Sequence, residues 1–130
     1  MRILFDTNIL VSNFLPNGGQ CHEIIVDAIY RHELYCTAFI KKELENVFKR
    51  RFHYSDALVH DMLTFIDKFF TLGETAKKVE KICRDLNDDP ILADAVLNKI
   101  NILITGDKDL LVLEHYKNVR IVHPSHYWDL

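Results

Sequence analysis

No stretch of this chain is apolar for anything near the roughly 18 residues that a membrane-spanning helix requires, so no transmembrane segment is expected. The first residues carry one arginine and then an acid at position 6, the wrong make-up for a signal peptide. Cysteine is scarce. Cys21, Cys36 and Cys83 are odd in number, widely spaced and without a CxxC pair, which fits buried free thiols in a reducing cytoplasm. The scattered histidines form neither an HxH nor an HExxH pattern. Charge of one sign is also lacking. A net charge of -3 argues mildly against a protein that coats nucleic acid by bulk charge, although clustered acids holding a cation would alter that balance locally.

What remains is 130 residues, 48% hydrophobic and 27% charged, which is enough to bury a core and reads as one soluble globular domain over 1–130. No repeat, low-complexity segment or linker divides it. Ile3-Leu4-Phe5 is apolar on both faces, as in the middle of a covered parallel sheet. Turn formers crowd Asn13 to Gln20, where a loop is expected, with one helical turn over Val11 to Leu15 as the alternative, and a helical stripe follows at Ile24, Ile25, Ala28 and Ile29. Leu34 to Thr37 reads as a strand, Phe39 to Phe48 as a helix, and Ser55 as the cap of a helix ending near Phe69. Phe69 to Leu72 suggests a short strand. A short helix around Ala76, Val79 and Ile82 is expected next, then a helix opened by Asp89 at the cap and Pro90 at the first position. Ile102 to Thr105 and Val119 to Val122 complete a set of five strands. Asp107 caps a short helix between them, and His123-Pro124-Ser125 opens a last one. Strands alternating with helices predict an α/β domain, a three-layer α/β/α sandwich around a mainly parallel sheet of about five strands.

Two apolar strands end alike, in Phe5-Asp6 and in Thr105-Gly106-Asp107. Ligands of open α/β sheets bind beyond the carboxyl ends of the strands, so Asp6 and Asp107 are expected to be neighbours there. Carboxylates brought together repel and raise one another's pKa unless a cation sits among them. Ligands that are all oxygen suit Mg²⁺ or Mn²⁺ rather than zinc, and such an ion can activate water and neutralise a phosphodiester transition state. The bland alternative makes each acid a turn or helix cap, most plainly for Asp89 and Asp109. Asp88 and Asp89 precede a helix. If that helix is a full crossover, their turn is expected at the opposite edge, and spacing alone leaves open whether either acid joins the cluster.

Phe5-Asp6-Thr7-Asn8-Ile9-Leu10, the Asp85 to Asp89 cluster and Thr105-Gly106-Asp107-Lys108-Asp109-Leu110-Leu111 resemble a PIN domain over essentially the whole chain. The closest likeness is to the bacterial and archaeal PIN proteins classed as toxins of toxin–antitoxin pairs. The resemblance implies a metal-dependent ribonuclease with acids around one or two Mg²⁺ or Mn²⁺ ions. By motif, the acids are Asp6, Glu43, Asp88 and Asp107, with Asp89 the alternative third acid and Asp109 a helper. Glu45 is the rival of Glu43, two residues on and facing away on a helix. Asn8 and Thr105 are expected as supporting polar groups. Asp94 departs from the family pattern by placing an acid in a stretch that is usually alanine-rich.

Lys41, Lys42, Lys49, Arg50 and Arg51 flank Glu43, either as RNA phosphate contacts or as a solvated helix face. Phe52, His53 and Tyr54 suit stacking on bases, with core or loop packing the favoured alternative. The resemblance further implies an RNA substrate, a small antitoxin as partner and a homodimer. The competing readings are a structure-specific DNA nuclease and a non-catalytic PIN scaffold that binds RNA or a partner. A receiver-like signalling domain needs an aspartate after the third strand, and Phe70-Thr71-Leu72-Gly73 supplies none.

Overall fold

The computed structural model describes residues 1–16, 18–79 and 89–130. In chain order these form β1 (Arg2–Phe5), α1 (Thr7–Phe14), α2 (Gly19–Arg31), β2 (Glu33–Cys36) and α3 (Ala38–Asn46), which runs on into a π-helical turn (Val47–Arg51). Then come α4 (Asp56–Phe69), β3 (Thr71–Leu72), α5 (Asp89–Leu97), β4 (Ile102–Ile104) and α6 (Lys108–Leu111). The β5–β6 hairpin (His115–Tyr116 and Val119–Val122) and a 3₁₀ helix (Pro124–Asp129) close the chain.

The strands form one six-stranded sheet in the order β3-β2-β1-β4-β6-β5, parallel except at the β5–β6 edge. Ile3, Leu4 and Phe5 of the central β1 are all fully buried, so helices cover both faces of the sheet. Right-handed crossovers explain the layers. The steps from β1 to β2 to β3 run one way and put α1 to α4 on one face, whereas the step back from β3 to β4 puts α5 on the other.

The register brings the strand ends level. Phe5 pairs with Ile104, and Ile104 with Val122, so Asp6 and Thr105 leave the sheet side by side. Asp6 N–H still donates to the Ile104 carbonyl at 2.9 Å, and Thr105 N–H to Val122 at 3.0 Å. Beyond each end a short polar residue turns the chain into a helix. Asp6 caps α1, Thr37 caps α3 by accepting from Ile40 N–H at 3.2 Å, and Asp107 caps α6 by accepting from Asp109 N–H at 2.8 Å. Ser55 caps α4 as expected, accepting from Leu58 N–H at 3.2 Å.

Several expectations are corrected. The loop expected from Asn13 to Gln20 is shorter, because α1 reaches Phe14 and α2 starts at Gly19. Burial of Ile9, Leu10 and Val11 draws α1 onto the core, and buried Asn13 is held by His22 at 2.8 Å. Glycine is needed at position 18, where a Cβ would collide with the Ser12 carbonyl. Phe69 belongs to α4, leaving β3 only two residues long. The α/β sandwich around a mainly parallel sheet is as expected, and its sixth strand, His115–Tyr116, lies at the edge and is too short to show periodicity. Residues 74–79 hold no helix, and the rest of the helix expected around Ile82 lies outside the described residues, as do Cys83 and Asp85. Cys36 is buried and its thiol is pushed up to about 12 by loss of solvent, which leaves it unreactive. Among the described residues, no helix is long and apolar enough to cross a membrane.

The direction of α5, which spacing left open, is fixed by its neighbours. Residues 98–100 link it to Asn101, which is tied to the first residue of β1: Asn101 N–H donates to the Arg2 carbonyl at 2.9 Å and its side chain accepts Arg2 N–H at 2.7 Å. The C-terminal end of α5 therefore sits at the amino edge. A nine-residue helix is about 13 Å long, which matches a four-residue strand, so Asp89 lies toward the carboxyl edge.

Because Leu4 is fully buried between two helical layers, Leu4→Ala leaves a cavity that neither layer can close. Urea denaturation is expected to show a loss of about 2–5 kcal/mol. A loss below about 1 kcal/mol would mean that the site collapses freely and that the two-sided packing is wrong.

Candidate active site

At the carboxyl edge, Asp6 uses both side-chain oxygens. Oδ1 accepts the Thr7 backbone N–H at 2.7 Å, and Oδ2 accepts the hydroxyl of the wholly buried Thr105 at 2.7 Å. Thr105 Oγ1 in turn accepts the Asp107 N–H at 3.0 Å, so one threonine joins the ends of β1 and β4. On the other side, Thr7 Oγ1 donates to Glu43 Oε1 at 2.7 Å and reaches across from α1 to α3. The result is a continuous chain of contacts, Glu43–Thr7–Asp6–Thr105–Asp107.

Electrostatics sharpen this picture. Burial pushes the Asp6 carboxyl above its ordinary range; the Thr105 and Thr7 hydrogen bonds oppose the shift and the nearby Asp107 charge adds to it. Glu43 is likewise raised by burial, with the Thr7 hydroxyl opposing and the Asp6 charge adding. Acids crowded and buried in this way suit a divalent cation. Among the described residues no three His, Cys, Asp or Glu side chains close into a metal cage, and the acids are instead linked through threonines. An open set of hard oxygen donors fits Mg²⁺ and, as an equally oxygen-seeking ion, Mn²⁺; Mg²⁺ keeps much of its water and takes only one or two carboxylates.

The other expected residues fall in several places. Asp89 is buried in the first turn of α5, and Asp88 lies outside the described residues. Asp109 is half-buried at the start of α6, where its N–H serves the Asp107 cap. Asn8 is exposed on α1, and the supporting contact is made by Thr7, which sequence reasoning did not single out. The signal was present: a threonine directly after a helix-capping acid has its N–H on that acid and its hydroxyl at the same edge. Glu43 turns toward Asp6, whereas Glu45 pairs with Lys49 at 2.9 Å.

The basic residues divide in the same way. Lys41 pairs with Asp67 at 2.6 Å, and Lys49 also approaches Asp56 at 3.6 Å. Lys42 and Arg50 are exposed and make no ion pair among the described residues, and the Arg51 guanidinium lies 5.8 Å from the centre of the Phe52 ring. Phe52 and Tyr54 pack on the buried Phe48 at 5.5 and 5.1 Å between ring centres, which favours the core reading of these two rings. His53 is exposed at a left-handed backbone position, with φ of 56°.

Comparison with known proteins agrees with this geometry. A family model described as PIN domain matches residues 2–109, and the chain belongs to the PIN domain family, whose members are generally nucleases that use divalent metal ions. No curated protein sequence matches it. Among solved structures, it is similar to a chain of the crystal structure of VapBC2 from Rickettsia felis bound to a DNA fragment from their promoter. The TM-score is 0.70 at 14% identity, with 95% of this chain and 98% of that chain covered, a likeness of fold.

Asp94, the departure from the family pattern, serves elsewhere. It is buried on α5 and accepts the Ala76 N–H at 2.7 Å, while Asn98 binds both the N–H and the carbonyl of Glu74 at 2.8 Å. Together they fasten the segment after β3 onto α5. Burial raises the Asp94 carboxyl above its ordinary value of 3.8, the Ala76 bond opposing. The folded state then binds this proton more tightly than the unfolded state, so stability from this group falls as pH rises from 3.8 through the folded value. Asp94→Asn retains an acceptor for Ala76 and loses the charge. Thermal melts should show it more stable than wild type near neutral pH and matching it at about pH 3; a lower melting point at neutral pH would overturn this account.

Proposed function

We propose that the chain is a metal-dependent endoribonuclease and the toxin of a toxin–antitoxin pair, acting in the cytoplasm. The observation that carries this reading is the linked series Glu43–Thr7–Asp6–Thr105–Asp107 at the carboxyl edge of the sheet. In it Asp6 and Asp107, joined by Asp89 from the start of α5 or by its sequence neighbour Asp88, would hold Mg²⁺ or Mn²⁺, with Asp109 supporting them. A cation held there would neutralise charge at the scissile phosphate and activate water. Glu43, fixed through Oε1, is the fourth acid of the set, with Oε2 left to face the cation or to orient the attacking water. Lys42, Arg50 and Arg51 hold substrate phosphates, while Lys41 and Lys49 are neutralised by their own acids. The likeness in fold to a VapBC2 chain supports a small partner protein, and a homodimer is the expected assembly.

The test is cleavage of labelled RNA, with duplex DNA in parallel, by wild type and Asp6→Asn in Mg²⁺, Mn²⁺ or EDTA. Cutting of RNA is expected with either metal and not in EDTA. Asp6→Asn should lower the rate at least about 100-fold, beyond the usual effect of losing an outer hydrogen-bond partner. Equal cutting by the variant, or cutting of DNA alone, would overturn the assignment.

A further inference from the structure

Thr105 touches two of the acids from a buried position, and so does Thr7, which bridges Asp6 to Glu43 on another helix. Only 5% of the Thr7 surface is exposed. Its backbone N–H lies 2.7 Å from Asp6 Oδ1 and its hydroxyl 2.7 Å from Glu43 Oε1. A hydroxyl carries a single hydrogen, and here that hydrogen is committed to Glu43. The branched Cβ stiffens the side chain, and the N–H bond to Asp6 fixes the backbone from which it projects. Glu43 has reason to leave. It is half-buried, it extends from another helix, and it faces the like charge of Asp6.

We propose that Thr7 is a positioning residue that holds the Glu43 carboxylate beside Asp6 against their mutual repulsion, and so sets the affinity of the acidic site for a divalent cation. This inference rests on the metal-site reading. The methyl group of Thr7 is incidental to it and the hydroxyl is essential. Valine keeps the shape and loses the donor, whereas serine keeps the donor and loses the methyl. A merely structural role would make valine the milder change at a buried position, so the two substitutions separate the explanations.

Titration calorimetry with Mn²⁺ alone provides the readout. Thr7→Val should weaken Mn²⁺ binding about 10-fold or more, the scale typical when a hydrogen-bonded neighbour of a metal ligand is lost. Thr7→Ser should stay close to wild type. In a Glu43→Gln background, Thr7→Val should add little further loss, because the carboxylate it positions is already gone. Wild-type affinity in Thr7→Val would overturn the proposal while leaving the metal site standing. So would an undiminished loss in the Glu43→Gln background. A wild-type protein that takes up no Mn²⁺ would overturn the metal-site reading and this proposal with it.

Discussion

The structure depends on placing the Asp6 carboxylate at the buried end of the central strand, beside other acids. Taking a carboxylate out of water costs several kcal/mol even after relaxation. Two charge-assisted hydrogen bonds, from Thr7 N–H and Thr105 Oγ1, each contribute about 1.5–3 kcal/mol in return. The Asp6 carboxyl nevertheless stays above its ordinary range, so these bonds offset the burial and the Asp107 charge only in part. A site left in that condition favours whatever positive charge can enter it, and this is the physical basis for reading it as a cation site.

The rest of the fold bears that unfavourable term. β1 carries Asp6 and is also the strand whose three consecutive apolar residues are sealed on both faces. The parallel register that buries Ile3, Leu4 and Phe5 is the same register that levels Asp6 with Thr105. Separating the acids by sliding one strand would expose a full face of the core, because a one-residue slip sends every side chain to the opposite side. Hydrophobic burial thus holds the carboxylates close, and the threonines determine how they face one another.

The legible part of this arrangement followed from patterns with a clear period or a clear stop. The apolar strands, the Ser55 and Asp107 caps and the convergence of Asp6 with Asp107 came from residues whose neighbours allow few alternatives. The Glu43 assignment came from resemblance, and nothing in its own stretch separates it from Glu45 except which way the helix turns. Turn formers around Pro16 overstated the loop, since Asn13 tolerates a helix end when His22 satisfies its side chain. Spacing alone leaves the direction of α5 open, yet topology dictates it: a helix joining parallel strands begins at the carboxyl edge and returns to the amino edge. Thr7 was overlooked because a hydroxyl bridging two elements distant in sequence leaves no periodic trace.

The cations show why charge counting alone misleads. Five basic residues flank Glu43 in sequence, yet Lys41 and Lys49 spend their charge on Asp67, Glu45 and Asp56. Those remaining lie at Lys42 and on the π-helical turn with Arg50 and Arg51, where the wider winding rotates the basic residues relative to an unbroken α-helix. On a chain with net charge -3, the three cations left beside Glu43 give only weak, salt-sensitive attraction to a polyanion. In the proposed reading, a phosphodiester is therefore held chiefly where it meets the cation among the acids. Binding and chemistry then draw on the same local charge, and the geometry that Thr7 and Thr105 impose on Glu43, Asp6 and Asp107 governs both.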